Sequence, residues 1–153
     1  MGMIGLFKKM TEEEVERYRD GDDFPYDAVD CDIDKSWELI HYLLTGDIAD
    51  GEPPLGYVIP LCDEVEHVER ATMAAILTPL QVKAAADGLA AIDSTAFTDR
   101  FDFDAMMADE VYPLREGEVE KELYDYLWQN FCDLKAFYQA AGASGSHVVF
   151  EIC

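Results

Sequence analysis

The chain has 153 residues, half of them apolar by count, and sets 33 Asp and Glu against 11 Lys and Arg for a net charge of −22. That length fits one globular domain spanning residues 1–153, large enough to bury a core without disulfide or metal staples. So acidic a chain is excluded from gripping nucleic-acid phosphates or an anionic membrane surface, and an aromatic content of 12% speaks against disorder.

Met3 to Met10 reads as a strand buried on both sides, with Ile4 and Leu6 on one face and Met3 and Phe7 on the other. Thr11-Glu12-Glu13-Glu14 forms a capping box, which opens a short helix ending near Gly21. Asp20 to Asp34 is an acidic loop. A helix follows over Asp34 to Leu44, with Gly46 placed to end it in a left-handed turn. Trp37, Ile40, His41 and Leu44 share its apolar face. Asp47 to Pro60, rich in Gly, Pro and Asp, reads as loop, and Leu61 to Arg70 fits either an acidic helical turn or an irregular segment.

Ala71 to Leu77 reads as a buried strand, although its alanines suit a helix equally well. Thr78-Pro79-Leu80-Gln81 combines an N-cap, a proline at the first helical position and a capping-box glutamine. The stripe of that helix is Val82, Ala85, Ala86 and Leu89. Asp93 caps a further short helix carrying Phe97 and Phe101, and Asp104 to Val111 is helical until Pro113 stops it. The longest element, Glu118 to Ala141, has the stripe Val119, Leu123, Tyr126, Leu127, Phe131, Leu134, Phe137 and Tyr138. His147 to Ile152 alternates as a half-buried strand, with Val148, Phe150 and Ile152 facing one way and His147, Val149 and Glu151 the other. The architecture implied is α+β: a small sheet of about three strands, including both terminal segments, covered by helices, with the long helix just before the last strand.

The N-terminal lysines follow the apolar run instead of preceding it, so no secretory signal is read there. Leu6 stands where a myristoylation site at Gly2 needs Ser or Thr. The four cysteines, Cys31, Cys62, Cys132 and Cys153, are widely and irregularly spaced, and are read as free thiols of a cytoplasmic protein.

Phosphate-binding glycine loops, the serine-hydrolase elbow and the zinc-protease helix motif are all absent from the sequence. Of the three histidines, His41 is the candidate general base, with Asp32 or Asp34 as its orienting carboxylate and Trp37 as a pocket wall. The competing reading of His41 is a core residue with one hydrogen bond. Cys62, Glu64, Glu66 and His67 make a loose cluster without the second ligand pair that zinc requires, so no metal and no cofactor are expected. Asp102 and Asp104 fit an acid–base pair or, more simply, a helix cap beside a solvated acid.

Several motifs together carry a resemblance. The opening Met1-Gly2-Met3-Ile4-Gly5 and the stretch from Cys31-Asp32-Ile33-Asp34-Lys35-Ser36-Trp37 to His41-Tyr42-Leu43-Leu44-Thr45-Gly46 resemble the YfbM-like family, also called domain of unknown function 1877. Leu77-Thr78-Pro79, Val111-Tyr112-Pro113 and Leu134-Lys135-Ala136-Phe137-Tyr138 follow in the family's order. The resemblance spans essentially the whole chain, and implies a small bacterial protein of α+β fold without supplying catalytic residues. Two segments depart from the family's pattern, Thr72-Met73-Ala74-Ala75 and Leu114-Arg115-Glu116-Gly117.

The leading expectation is a non-catalytic, acidic protein-binding module for a basic protein partner, immunity- or antitoxin-like, with Trp37 and Tyr112 as candidate binding residues. The alternatives are a small enzyme acting around Asp32–His41, and a homo-oligomer subunit whose acidity is generic. The sequence leaves the oligomeric state open.

Overall fold

The structure, a computed structural model, describes residues 2–70 and 73–153. Met1, Ala71 and Thr72 lie outside the described residues, and with them the first two residues of the strand expected from Ala71. In chain order the first elements are β1 (Gly5–Met10), α1 (Glu12–Arg19), β2 (Cys31–Asp32) and α2 (Trp37–Thr45). The strands β3 (Glu66–Glu69) and β4 (Met73–Leu77) come next. Four helices follow, α3 (Pro79–Ala90), α4 (Ser94–Arg100), α5 (Phe103–Ala108) and α6 (Glu120–Ala143), and the last element is β5 (His147–Ile152). Short 3-10 turns cover Asp34–Ser36 and Leu55–Tyr57.

Among the described residues the sheet has five strands in the order β2-β1-β5-β4-β3, every neighbouring pair antiparallel. Two of these strands are additions to the three expected. β2 is two residues of the acidic loop that pair Leu6 with Asp32 and Phe7 with Cys31; so short a piece has no periodicity to read. β3 is an edge strand with one apolar residue, Val68, held by pairing with β4 from Glu66↔Ile76 to Glu69↔Met73. Such an edge takes its structure from its neighbour and not from its own composition.

Because side chains alternate across a strand, the register sorts the sheet into two faces. One carries Phe7, Ala75 and Phe150, which pack with α2, α3 and α6 in the larger core. The other carries Leu6, Ala74 and Val149, which pack with Val15 and Tyr18 of α1 and with Phe24 in a smaller core. β5 is therefore buried on both sides, not half-buried as its alternation implied, and Glu151 is only 2% exposed.

Local chemistry sets the helix ends. Thr11 accepts from the Glu14 amide while Glu14 reaches back to Thr11, and Thr78 and Gln81 do the same for α3. Asp93 caps α4 and Asp102 caps α5, the simpler of the two readings of Asp102. Gly46 ends α2 at φ +78°, a conformation that a Cβ disfavours. The stripe of α3 is buried as expected, and that of α6 is buried from Leu123 to Tyr138, except that Tyr126 is half-buried. Val119 lies outside the stripe, 52% exposed at the N-cap. A Cβ on Gly142 would lie 3.2 Å from that of Ala86, so α3 and α6 approach through small residues. Among the described residues, no helix is long and apolar enough to cross a membrane.

Candidate functional site

The three candidate catalytic residues do not assemble as the sequence suggested. His41 is on the core face of α2 and only 1% exposed. Its Nε2 lies 2.6 Å from the Asp50 carbonyl, and its Nδ1 meets no partner at hydrogen-bond geometry among the described residues. Read as a neutral ring, Nε2–H donates to the Asp50 carbonyl. Burial holds its pKa below the usual 6.5, against the opposing pull of the Asp50 and Ile59 backbone and of the Asp47 and Asp50 charges.

Asp32 and Asp34 are occupied elsewhere. The Asp34 amide donates to Asp32 Oδ1 at 2.8 Å, which closes a tight turn where Asp34 adopts φ +53°. The Tyr126 hydroxyl, on α6, donates to Asp34 Oδ2 at 2.8 Å and accepts from the Lys35 amide at 3.1 Å. The Asp-Ile-Asp segment thus fastens the start of α2 to α6, and the carboxylates acting on His41 are Asp47 and Asp50 in place of Asp34.

The two candidate binding aromatics do come together. Trp37 and Tyr112 stack with centroids 5.6 Å apart and planes at 30°. The Trp37 indole N–H donates to the Met3 carbonyl at 3.0 Å, and the Met3 amide donates to the Tyr112 hydroxyl at 2.7 Å. The pair therefore clamps the segment before β1. Next to it, the Tyr112 amide donates to Glu38 Oε2 at 3.0 Å. Burial pushes the Glu38 carboxyl above its ordinary pKa, against the lowering effect of that amide.

A cleft opens on each side of this stacked wall. On the Trp37 side, a cleft of about 620 Å³ is lined by Trp37, Glu38, Leu61, Met73, Ile152 and Cys153, among others. On the Tyr112 side, one of about 540 Å³ includes Lys35, Glu110, Tyr112 and Arg115. Glu38 is the residue that sequence reasoning missed here. The available signal was slight: it is the one acid in α2 and directly follows Trp37.

The loose acidic cluster disperses. Glu66 pairs with Arg19 at 2.7 Å, Cys62 is buried, and His67 Nε2 lies 2.9 Å from the Cys62 carbonyl. Among the described residues no three His, Cys, Asp or Glu side chains gather as a metal-binding group. All four thiols are free, Cys31 and Cys62 buried, Cys132 and Cys153 exposed.

The fold and this corner define a small α+β protein with a five-stranded antiparallel sheet and a long helix leading into its last strand. The domain of unknown function DUF1877 matches residues 1–151, and the chain belongs to this YfbM-like family. Among solved structures, its fold is similar to that of "a Protein of Unknown Function YfbM from Escherichia coli", with a TM-score of 0.77 and 23% identity over 98% of this chain and 99% of that one. No curated protein matches the chain.

Proposed function

We propose that the chain is a non-catalytic binding protein whose acidic surface holds a basic protein partner, in the manner of an immunity or antitoxin protein. The observation that carries this reading is how the fold uses its 11 Lys and Arg. Lys8, Arg17, Arg19, Lys83 and Lys121 form ion pairs on the chain's own surface. Arg70 donates to the carbonyls of Tyr18 and Asp22, Arg100 to that of Leu44 and Lys135 to that of Ile92. Few cations remain for the rest of the 33 acids. Glu12, Asp27, Asp63, Asp99, Asp104 and Glu116, for example, are exposed and in no ion pair among the described residues.

Such a field raises the encounter rate with a cationic surface and weakens as salt screens it over about 8 Å at physiological ionic strength. The enzyme reading centred on His41 has no comparable support, because the ring is sealed in the core with its Nε2 on a backbone carbonyl. The test is affinity capture from native lysate across a salt series, with an unrelated protein of equal charge as control. A basic protein retained by this chain and not by the control, with an association rate that falls as salt rises, is the expected result. Capture equal to the control, or binding indifferent to salt, would overturn the reading.

A further inference from the structure

The cleft on the Trp37 side has a chemistry of its own, separate from the outer surface. Its volume of about 620 Å³ lies inside the range of small-molecule sites, roughly 300–1,000 Å³. Leu61, Met73, Ile152 and Trp37 make its lining mostly apolar, and neither Lys nor Arg contributes to it. Among the described residues that line it, Glu38 carries the one side-chain carboxyl. Its Oε2 is held by the Tyr112 amide, while no hydrogen bond to Oε1 is made among the described residues. A half-buried carboxylate in such surroundings has lost part of its water and has gained one amide in return. A charged N–H donor placed against Oε1 would restore what burial removed.

The wall beside Glu38 favours the same ligand. The Trp37 ring is fixed by its stack on Tyr112 and by its bond to the Met3 carbonyl, and an indole offers the strongest aromatic attraction for a cation. A fixed ring loses little freedom when a ligand arrives. An anion is disfavoured twice, by Glu38 and by the net charge of −22.

We infer that this cleft is a binding site for a small organic cation, a protonated primary amine carrying an apolar body, with Glu38 Oε1 receiving the ammonium and Trp37, Leu61, Met73 and Ile152 receiving the body. The site is independent of the protein partner proposed above, and failure to capture a basic protein leaves its test unaffected.

The probe is phenethylammonium, titrated into the full chain by calorimetry and followed by amide NMR. Two comparison compounds separate its parts: 2-phenylethanol keeps the body without the charge, and methylammonium keeps the charge without the body. Saturable binding at least tenfold tighter than either is expected. Glu38→Gln preserves an acceptor for the Tyr112 amide and should weaken phenethylammonium about tenfold while leaving 2-phenylethanol unchanged. Ala49→Trp fills the cleft from an exposed lining residue and should abolish binding of both aromatic probes in a protein that still folds. Cys153 lines the same cleft, so in a Cys132→Ser background bound phenethylammonium should slow its alkylation. The inference is overturned if phenethylammonium does not bind, if 2-phenylethanol binds as tightly, if methylammonium competes equally, or if Glu38→Gln leaves the affinity unchanged.

Discussion

Replacing Tyr18 by Phe tests how the smaller core tolerates a buried acid. Glu151 lies on β5, in register with Leu6 on one side and Ala74 on the other, and is 2% exposed. The Tyr18 and Tyr26 hydroxyls each donate to it at 2.5 Å, one to each carboxylate oxygen. Tyr18→Phe removes one donor and leaves the ring, its contact with Phe24 and the Arg70 guanidinium above it in place. A hydrogen bond to a charged group contributes roughly 1.5–3 kcal/mol, so the variant should lose about 2 kcal/mol, with no cavity to add to it. With a urea m-value of about 2 kcal/mol/M, the midpoint falls by about 1 M. In a Glu151→Leu background the Tyr18 hydroxyl has no acceptor to lose, so the same change should cost almost nothing there. The double-mutant cycle should then give a coupling of about 2 kcal/mol. A coupling below about 0.5 kcal/mol would refute the argument. The pH dependence follows from the same contact. Burial, then the bond to Glu151, raises the Tyr18 pKa far above its ordinary 10.0. The unfolded chain therefore releases this proton first, and the stabilisation is full below about pH 10 and lost as pH rises beyond it. Tyr18→Phe should blunt that alkaline loss.

Other outcomes are open to direct measurement. Phe131, fully buried in α6 against Phe97 and Trp128, should cost roughly 3–5 kcal/mol when truncated to Ala; a loss under about 1 kcal/mol would remove it from the core. His41 should titrate below 6.5 by NMR, because burial depresses its pKa. As pH falls below 6.5 the unfolded chain takes up the proton first, so this contribution is lost toward acid, and His41→Gln should flatten that part of the stability profile. Ellman's reagent at pH 8 should find Cys132 and Cys153 in the native protein, and Cys31 and Cys62 only after unfolding. Burial pushes the Cys31 thiol up to about 12, and fast native reaction of all four would contradict the two-sided core.

What the sequence made legible was local. Thr78, Pro79 and Gln81 decide a helix start among themselves, and Thr11 with Glu14 does likewise. The α6 stripe was readable because one helix face repeats over 24 residues. The features that escaped are made by distant pairs. β3 becomes a strand only against β4, and β2 only against β1. Glu38 becomes a half-buried carboxylate held at one oxygen because Tyr112, 74 positions along the chain, packs beside it and donates its amide. The alternation of β5 implies one buried and one open face; Val149, two residues before Glu151 on the same face, is the hint that both are buried. The Asp32–Asp34 pair shows the reverse case. Its spacing suited catalysis, yet the same two residues form the turn that Tyr126 ties to α6.

The charge is the one property that neither the turns nor the core explain. A net −22 opposes the compact state through self-repulsion, and the exposed ion pairs such as Lys83–Asp87 and Lys121–Asp125 offset little of it. Stability therefore rests on apolar packing against both faces of the sheet, and the fold carries the repulsion as a cost. Screening must act on that cost and on a cationic complex in opposite directions. As salt rises from about 0.01 M to 0.15 M the screening length shrinks from about 30 Å to 8 Å, so the free protein should unfold at higher urea while a bound basic partner dissociates. A generically acidic surface predicts the first effect without the second. Measuring both on one preparation separates the readings, because the same ions, at the same concentrations, drive the two responses apart.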